Sequence, residues 1–118
     1  MLDTMKGDAP SSRNCHSSTT FGKLLVIFGG REGDGRKKIL NDIFILDTEK
    51  EEWIQPEIIG DHPLPRMGHT AQLYDTRIVI HGGWNGFKVM DDIVYIEVQS
   101  CKKKVKCYSL PSLSLIHI

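Results

Sequence analysis

Residues Ile78–Val98 read IVIHGGWNGFKVMDDIVYIEV: an apolar run, two adjacent glycines, a polar turn, and a second apolar run opened by two acids. Gly82 and Gly83 admit two readings, a loop that cradles a ligand or a corner that the backbone needs. The choice between them begins earlier in the chain. There LLVIFGGREGDGRKKILNDIFILD, Leu24–Asp47, follows the same grammar.

The two stretches belong to a longer repeat. RNCH at Arg13–His16 returns as RMGH at Arg66–His69, 53 residues on, and VIFGG ending at Gly30 returns as VIHGG ending at Gly83, again 53 residues on. NDIFILD from Asn41 returns as DDIVYIE from Asp91 at a shift of 50, so the second glycine-to-acid loop is three residues shorter. Three markers in the same order mark two copies of one supersecondary unit.

Within each copy the apolar runs are short, bounded by turn residues and rich in Ile, Val, Phe and Tyr, which predicts strands. LLVIF, IFIL, IVI and IVYI are continuous rather than alternating, and continuity indicates strands covered on both faces. The expected strands are Ser17–Thr20, Leu24–Phe28, Asp42–Asp47 and Glu52–Gln55 in the first copy. In the second they are His69–Tyr74, Arg77–His81, Asp92–Val98 and Val105–Leu110.

These residues resemble the kelch repeat, whose unit is one four-stranded blade of a β-propeller with a period of roughly 50 residues. Arg13, His16, Gly29, Gly30, Asn41, Asp42 and Trp53 meet the family pattern in the first copy; Pro65, Arg66, His69, Gly82, Gly83, Asp91 and Asp92 meet it in the second. The implied fold class is all-β, antiparallel four-stranded blades of a partial kelch-type propeller. The segments are an N-terminal tail over 1–9, a first blade over 10–60, a second over 61–110 and a non-kelch apolar tail over 111–118. Shifting Trp53 by 50 lands on Lys103, so the second blade is expected to have an incomplete or degenerate outer strand. Two blades fall short of the 4 to 8 that close a ring. The chain thus reads as a fragment or truncated isoform with exposed blade faces, which implies self-association.

Several catalytic and ligand-binding patterns fail on their residues. GREGDGRK, from Gly30, spaces Gly30 and Gly35 as a phosphate loop does, but Arg36 and Lys37 stand where Lys and Ser/Thr are needed, and a strand rather than a helix follows. Arg66 with His69, and Arg13 with His16, have the chemistry of a base and an anion clamp. Their recurrence in both copies favours struts instead. His62, His81 and His117 lack metal-ligand spacing, and Cys101 with Cys107, an even number apart, is a weak zinc pattern without neighbouring histidines. Glu57 and Asp61 match the first half of the iron motif of kelch-like nitrile-specifier proteins, but Pro65 occupies its histidine position. No cofactor, no metal and no catalytic residue is assigned.

The loops after the glycine pairs keep their corners and change their tips, which suits contact with other molecules. Arg31, Arg36, Lys37 and Lys38 offer donors to acidic peptide groups, while Trp84, Asn85 and Phe87 offer aromatic anchor area and a polar turn. The expected function is a non-catalytic protein-interaction module, a scaffold, effector or substrate receptor of the kelch type. The competing readings are a metal-assisted or other propeller enzyme fragment, and an isoform with no independent function.

Charge adds little. Lys+Arg and Asp+Glu are equal at 15 each. Four of the bases, Lys102, Lys103, Lys104 and Lys106, lie after residue 100 where no acid occurs, so the rest is mildly acidic. Neither a nucleic-acid nor a membrane partner is expected, and the lysines read as a solvated strand edge. The first residues lack a signal-peptide pattern, and three cysteines without framework spacing favour a reducing compartment, cytosol or nucleus.

Overall fold

The computed structural model describes residues 6–32 and 38–110, and every regular element among them is a strand. In chain order these are β1 (Arg13–Asn14), β2 (Ser17–Phe21), β3 (Leu24–Glu32), β4 (Ile39–Asp47), β5 (Glu52–Ile54), β6 (Glu57–Gly60), β7 (Thr70–Tyr74), β8 (Arg77–His81), β9 (Ile93–Val98) and β10 (Lys104–Leu110). They form two sheets. In the first, β3 pairs antiparallel with β4 on one side and with both β1 and β2 on the other, and β4 pairs with β5. β1 and β2 therefore act as one inner strand broken at Cys15, which sits at φ 60°. The second sheet runs β6-β10-β9-β8-β7, antiparallel throughout except for the parallel β6–β10 pair.

The core lies between the sheets. Leu24, Val26 and Phe28 of β3 and Ile43 and Ile45 of β4 pack in one cluster with Ile78 and Ile80, Val94 and Ile96, and Val105 and Cys107 from β8, β9 and β10. Each such side chain, taken fully out of water, contributes about 1.5–3 kcal/mol. Residues of opposite parity in the first sheet, Ile27, Phe44 and Leu46, are also buried, at 8%, 7% and 9% exposure. Both faces of the first sheet are thus covered, which is why its apolar runs do not alternate.

Two sequence expectations require correction. The outer strand of the second repeat forms where Val105–Leu110 was expected and is not incomplete, though it lacks the tryptophan: β10 pairs with β9 over six residues, from Val105↔Val98 to Leu110↔Ile93. The shift of 50 fails there because the turn before β10 is longer. Trp53 faces Leu46 across its hairpin as Cys107 faces Ile96, so buried Cys107 occupies the tryptophan's position.

The segment boundaries also do not coincide with the pairing. β6 lies in the 10–60 segment yet joins the second sheet. Lys6, within the expected tail 1–9, bridges parallel to Glu52, its N–H donating to the Glu51 carbonyl at 3.0 Å. The same extra parallel strand position precedes both repeats, and its sequence mark is GDAP at Gly7–Pro10 against GDHP at Gly60–Pro63, also 53 residues apart. The tail 111–118 lies outside the described residues.

Candidate functional site

The repeated polar residues hold the corners. Arg66 is fully buried and forks onto Asp92, Nη1 to Oδ1 at 2.7 Å and Nη2 to Oδ2 at 2.8 Å, while its Nε donates to the Leu64 carbonyl at 3.1 Å. Arg13 repeats the arrangement on Asp42, with Nη2 to Oδ2 at 3.1 Å and Nε donating to Ser11 at 3.1 Å. A planar guanidinium matches a carboxylate with two parallel bonds, so each pair ties the motif loop to the start of the third strand of its repeat. Asn41 reaches instead to the second repeat, its Nδ2 donating to the Pro63 carbonyl at 2.9 Å.

The glycine question is answered at the junction of the sheets. A Cβ on Gly29, at φ +71°, would lie 2.8 Å from the Arg66 carbonyl oxygen, and the next amide, Gly30 N–H, donates to that oxygen at 2.9 Å. The pair admits the backbone of the following repeat, a role that requires the missing side chain. Gly82 and Gly83 form the corresponding corner after β8, with φ +81° and +94°.

His69 lies over this corner. Its Nε2 is 2.8 Å from Ser17 Oγ in the first sheet, and its ring meets Phe28 edge-on at 5.1 Å. A serine–histidine contact is where a nucleophilic dyad would start, but a working base needs a third group to orient it. Among the described residues, buried Nδ1 of His69 has no hydrogen-bond partner. Burial, and then the Arg66 charge, push the His69 pKa down to about 4. This is the chemistry of a neutral latch between sheets. His16, its counterpart, is exposed.

Trp53 is half-buried on β5, and Asp91 is exposed beside half-buried Asp92. Cys101 and Cys107 do not share a strand face: Cys101 is exposed in the turn before β10, and Cys107 is buried within it. Burial, then the Asp61 charge, raise the Cys107 thiol to about 12. Among the described residues no three His, Cys, Asp or Glu side chains cluster as metal ligands do.

The variable loops converge elsewhere. Arg31, Ile39, Pro65, Trp84, Asn85, Gly86 and Phe87 line a cleft of about 400 Å³. The first two come from the first sheet, the rest from the loops flanking the β7–β8 hairpin. Arg31 is held in register between Asn14 and Ile39 on neighbouring strands. Trp84 exchanges two backbone bonds with Met67, at 3.0 and 2.9 Å, and stays 44% exposed. The Asn85 side-chain oxygen accepts from the amides of Phe87 and Lys88, both at 2.9 Å, which closes the turn and leaves Phe87 94% exposed. The Phe87 ring is therefore held out in solvent by a closed turn and takes no part in the core.

Sequence reasoning named Arg31, Trp84, Asn85 and Phe87, and the fold brings all four together. Lys38 is exposed and does not line the cleft, while Arg36 and Lys37 lie outside the described residues. Ile39, Pro65 and Gly86 were missed as site residues. Pro65 was visible only as a repeat marker, and Ile39 shows no signal apart from starting an apolar run.

The KLHDC2/KLHL20/DRC7 Kelch-repeats domain family matches residues 2–111. The chain is 37% identical over 95 residues to acyl-CoA-binding domain-containing protein 5 of Arabidopsis thaliana, covering 80% of this chain and 14% of that protein. It is 36% identical over 85 residues to the human Rab9 effector protein with kelch motifs, covering 71% of this chain and 23% of that one. Host cell factor of Drosophila melanogaster is 36% identical over 102 residues, covering 72% of this chain and 7% of the relative. The chain thus spans less than a quarter of the length of these relatives. With glycine corners, Arg–Asp forks and four-strand hairpin order recurring across a match that takes in nearly every residue, the chain belongs to the kelch-repeat family.

Proposed function

We propose that the protein is a non-catalytic recognition module that seats a segment of a partner protein in the cleft between its two repeats. The observation that carries this is the convergence of Arg31 from one sheet with Trp84 and Phe87 from the other around one opening of about 400 Å³. The aromatic pair supplies apolar area that is exposed in the free chain, and Arg31 supplies a fork for a carboxylate. The partner segment is therefore acidic beside an apolar residue. Kelch relatives that include a Rab9 effector support protein recognition as the general role. Three free thiols fit a reducing setting, cytosol or nucleus.

The test is selection from a displayed peptide library on the full chain, followed by affinity measurement of the selected peptides. Acidic–apolar sequences should be enriched, and Trp84→Ala and Arg31→Ala should each weaken them by about tenfold or more, about 1.4 kcal/mol. Selected peptides that bind both variants as tightly as the parent chain would remove the cleft from the account.

A further inference from the structure

The two repeats are not covered alike. The first sheet has its trailing side, toward the second, filled by the motif loop of the second repeat. The Arg66 carbonyl sits at Gly29, the Arg66 N–H donates to the Leu40 carbonyl at 3.2 Å, the Gly68 N–H donates to the Cys15 carbonyl at 3.0 Å, and His69 meets the Ser17 hydroxyl. The second sheet carries the same seat, unfilled by any of the described residues. A Cβ on Gly82 would meet none of the described residues within 4 Å. Met90 stands where Leu40 does, 50 residues on, and Thr70 stands where Ser17 does, 53 residues on, so the hydroxyl is kept. Thr70 Oγ1 donates to the His81 carbonyl at 3.1 Å, as Ser17 Oγ does to Phe28 at 3.5 Å, which leaves an oxygen lone pair free for an imidazole N–H.

The group that fits this seat is also present in the chain and exposed. In the first motif loop Asn14, Cys15 and His16 are all exposed. Asn14 pairs with Arg31 as Met67 pairs with Trp84, so the Arg13 carbonyl points away from its own sheet as that of Arg66 does. We propose that the trailing side of the second sheet receives the first motif loop, Arg13–Ser17, of a second copy of this chain, repeating the internal contact between copies. The Arg13 carbonyl enters at Gly82, and His16 takes the Thr70 hydroxyl.

The surrounding residues set the strength of this contact. Where the first sheet has Leu24, Ile45 and Ile54, the second has Arg77, Tyr95 and Tyr108, the tyrosines stacked at 5.1 Å with the Arg77 guanidinium 6.0 and 5.9 Å from their ring centres. These side chains combine apolar area with polar tips, so the face tolerates water when free. Asp91 replaces Asn41 and has no N–H for a carbonyl, which removes one bond of the internal pattern. On the opposite side Ile27, Phe44 and Leu46 are already buried within one chain. Association is therefore weaker than the internal junction and reversible. A head-to-tail contact either closes or propagates; at 4 to 8 blades per ring, residues 1–118 alone, which supply two, close at two to four copies. This inference does not depend on the cleft.

The test is sedimentation of the full chain with face-specific variants at two exposed positions, His16→Glu and Thr70→Glu. The parent chain should rise with concentration from 13.3 kDa to a discrete species of two to four chains. Each variant alone should remain at one chain, and an equimolar mixture should form a pair and stop, because one intact seat and one intact loop remain. Thr70→Ser should associate as the parent does, which keeps the test valid should either charged variant fold poorly. A parent chain that stays monomeric throughout, or a Thr70→Glu variant that assembles as well as Thr70→Ser, would overturn the proposal.

Discussion

The first and second repeats share a motif but not an environment, and the comparison separates what the motif does from what its neighbours add. Arg66 is fully buried against Asp92, whereas Asp42, the partner of Arg13, keeps 27% of its side chain exposed. Gly29 is pressed by the backbone of the next repeat and Gly82 by none of the described residues. His69 is buried and His16 exposed. Within one repeat, then, arginine, aspartate and the glycine pair close a corner. Their larger energetic effect comes when another repeat covers that corner.

The two repeats should differ most at their arginines. Removing one partner of a buried ion pair costs about 3–5 kcal/mol because the other charge is stranded. Arg66→Ala should lose stability on that scale in urea unfolding, and Arg13→Ala clearly less, since water reaches Asp42. Equal losses would mean that burial by the neighbouring repeat does not matter.

The glycines come next. Gly82→Ala should cost about 1–2 kcal/mol for its left-handed backbone alone. Gly29→Ala adds an overlap with the Arg66 carbonyl and should cost more, with chemical-shift changes reaching the second sheet. The two variants melting together would contradict the packing.

Acid sharpens the contrast at the histidines. In the fold His69 stays neutral down to about pH 4. In the unfolded chain it takes up its proton near the ordinary 6.5, so the unfolded state binds more protons between these values. Stability contributed by His69 is thus present above pH 6.5 and is lost as the pH falls toward 4. The urea midpoint should drop across this window in the parent chain and drop less in His69→Gln. An identical pH profile for the variant would show that the latch has no such effect.

The smallest effect concerns the third motif residue. Cys15 and Gly68 occupy the same position, 53 apart, with φ of 60° and 68°. A non-glycine residue is strained there. Cys15→Gly should raise stability by up to about 1 kcal/mol, and a loss would show that the cysteine side chain contributes packing its exposure conceals.

Much of this was legible in the residues because the repeat is written in side chains that the corners require. The hairpins from Leu24 to Asp47 and from Arg77 to Val98 follow directly from continuous β-branched runs. The inner strand break and the parallel β6 did not follow, since Arg13–Asn14 and Glu57–Gly60 are short, mostly polar or exposed, and owe their conformation to partners distant in sequence. The outer strand itself followed from Val105–Leu110, but the counterpart of Trp53 did not, because a fixed shift of 50 carried through a longer turn lands on Lys103 instead of Cys107. In the cleft, the aromatics stood out by type, whereas Ile39 and Pro65 became site residues only through the way one sheet lies on the other.

If residues from two repeats form one recognition surface, their contributions to binding are not independent. A double-mutant cycle of Arg31→Ala and Trp84→Ala, read as affinity for a library-selected peptide, tests it most directly. Each variant should weaken binding, and the two losses should be coupled by about 0.5 kcal/mol or more, as for residues sharing one partner. Binding that neither substitution weakens would contradict it.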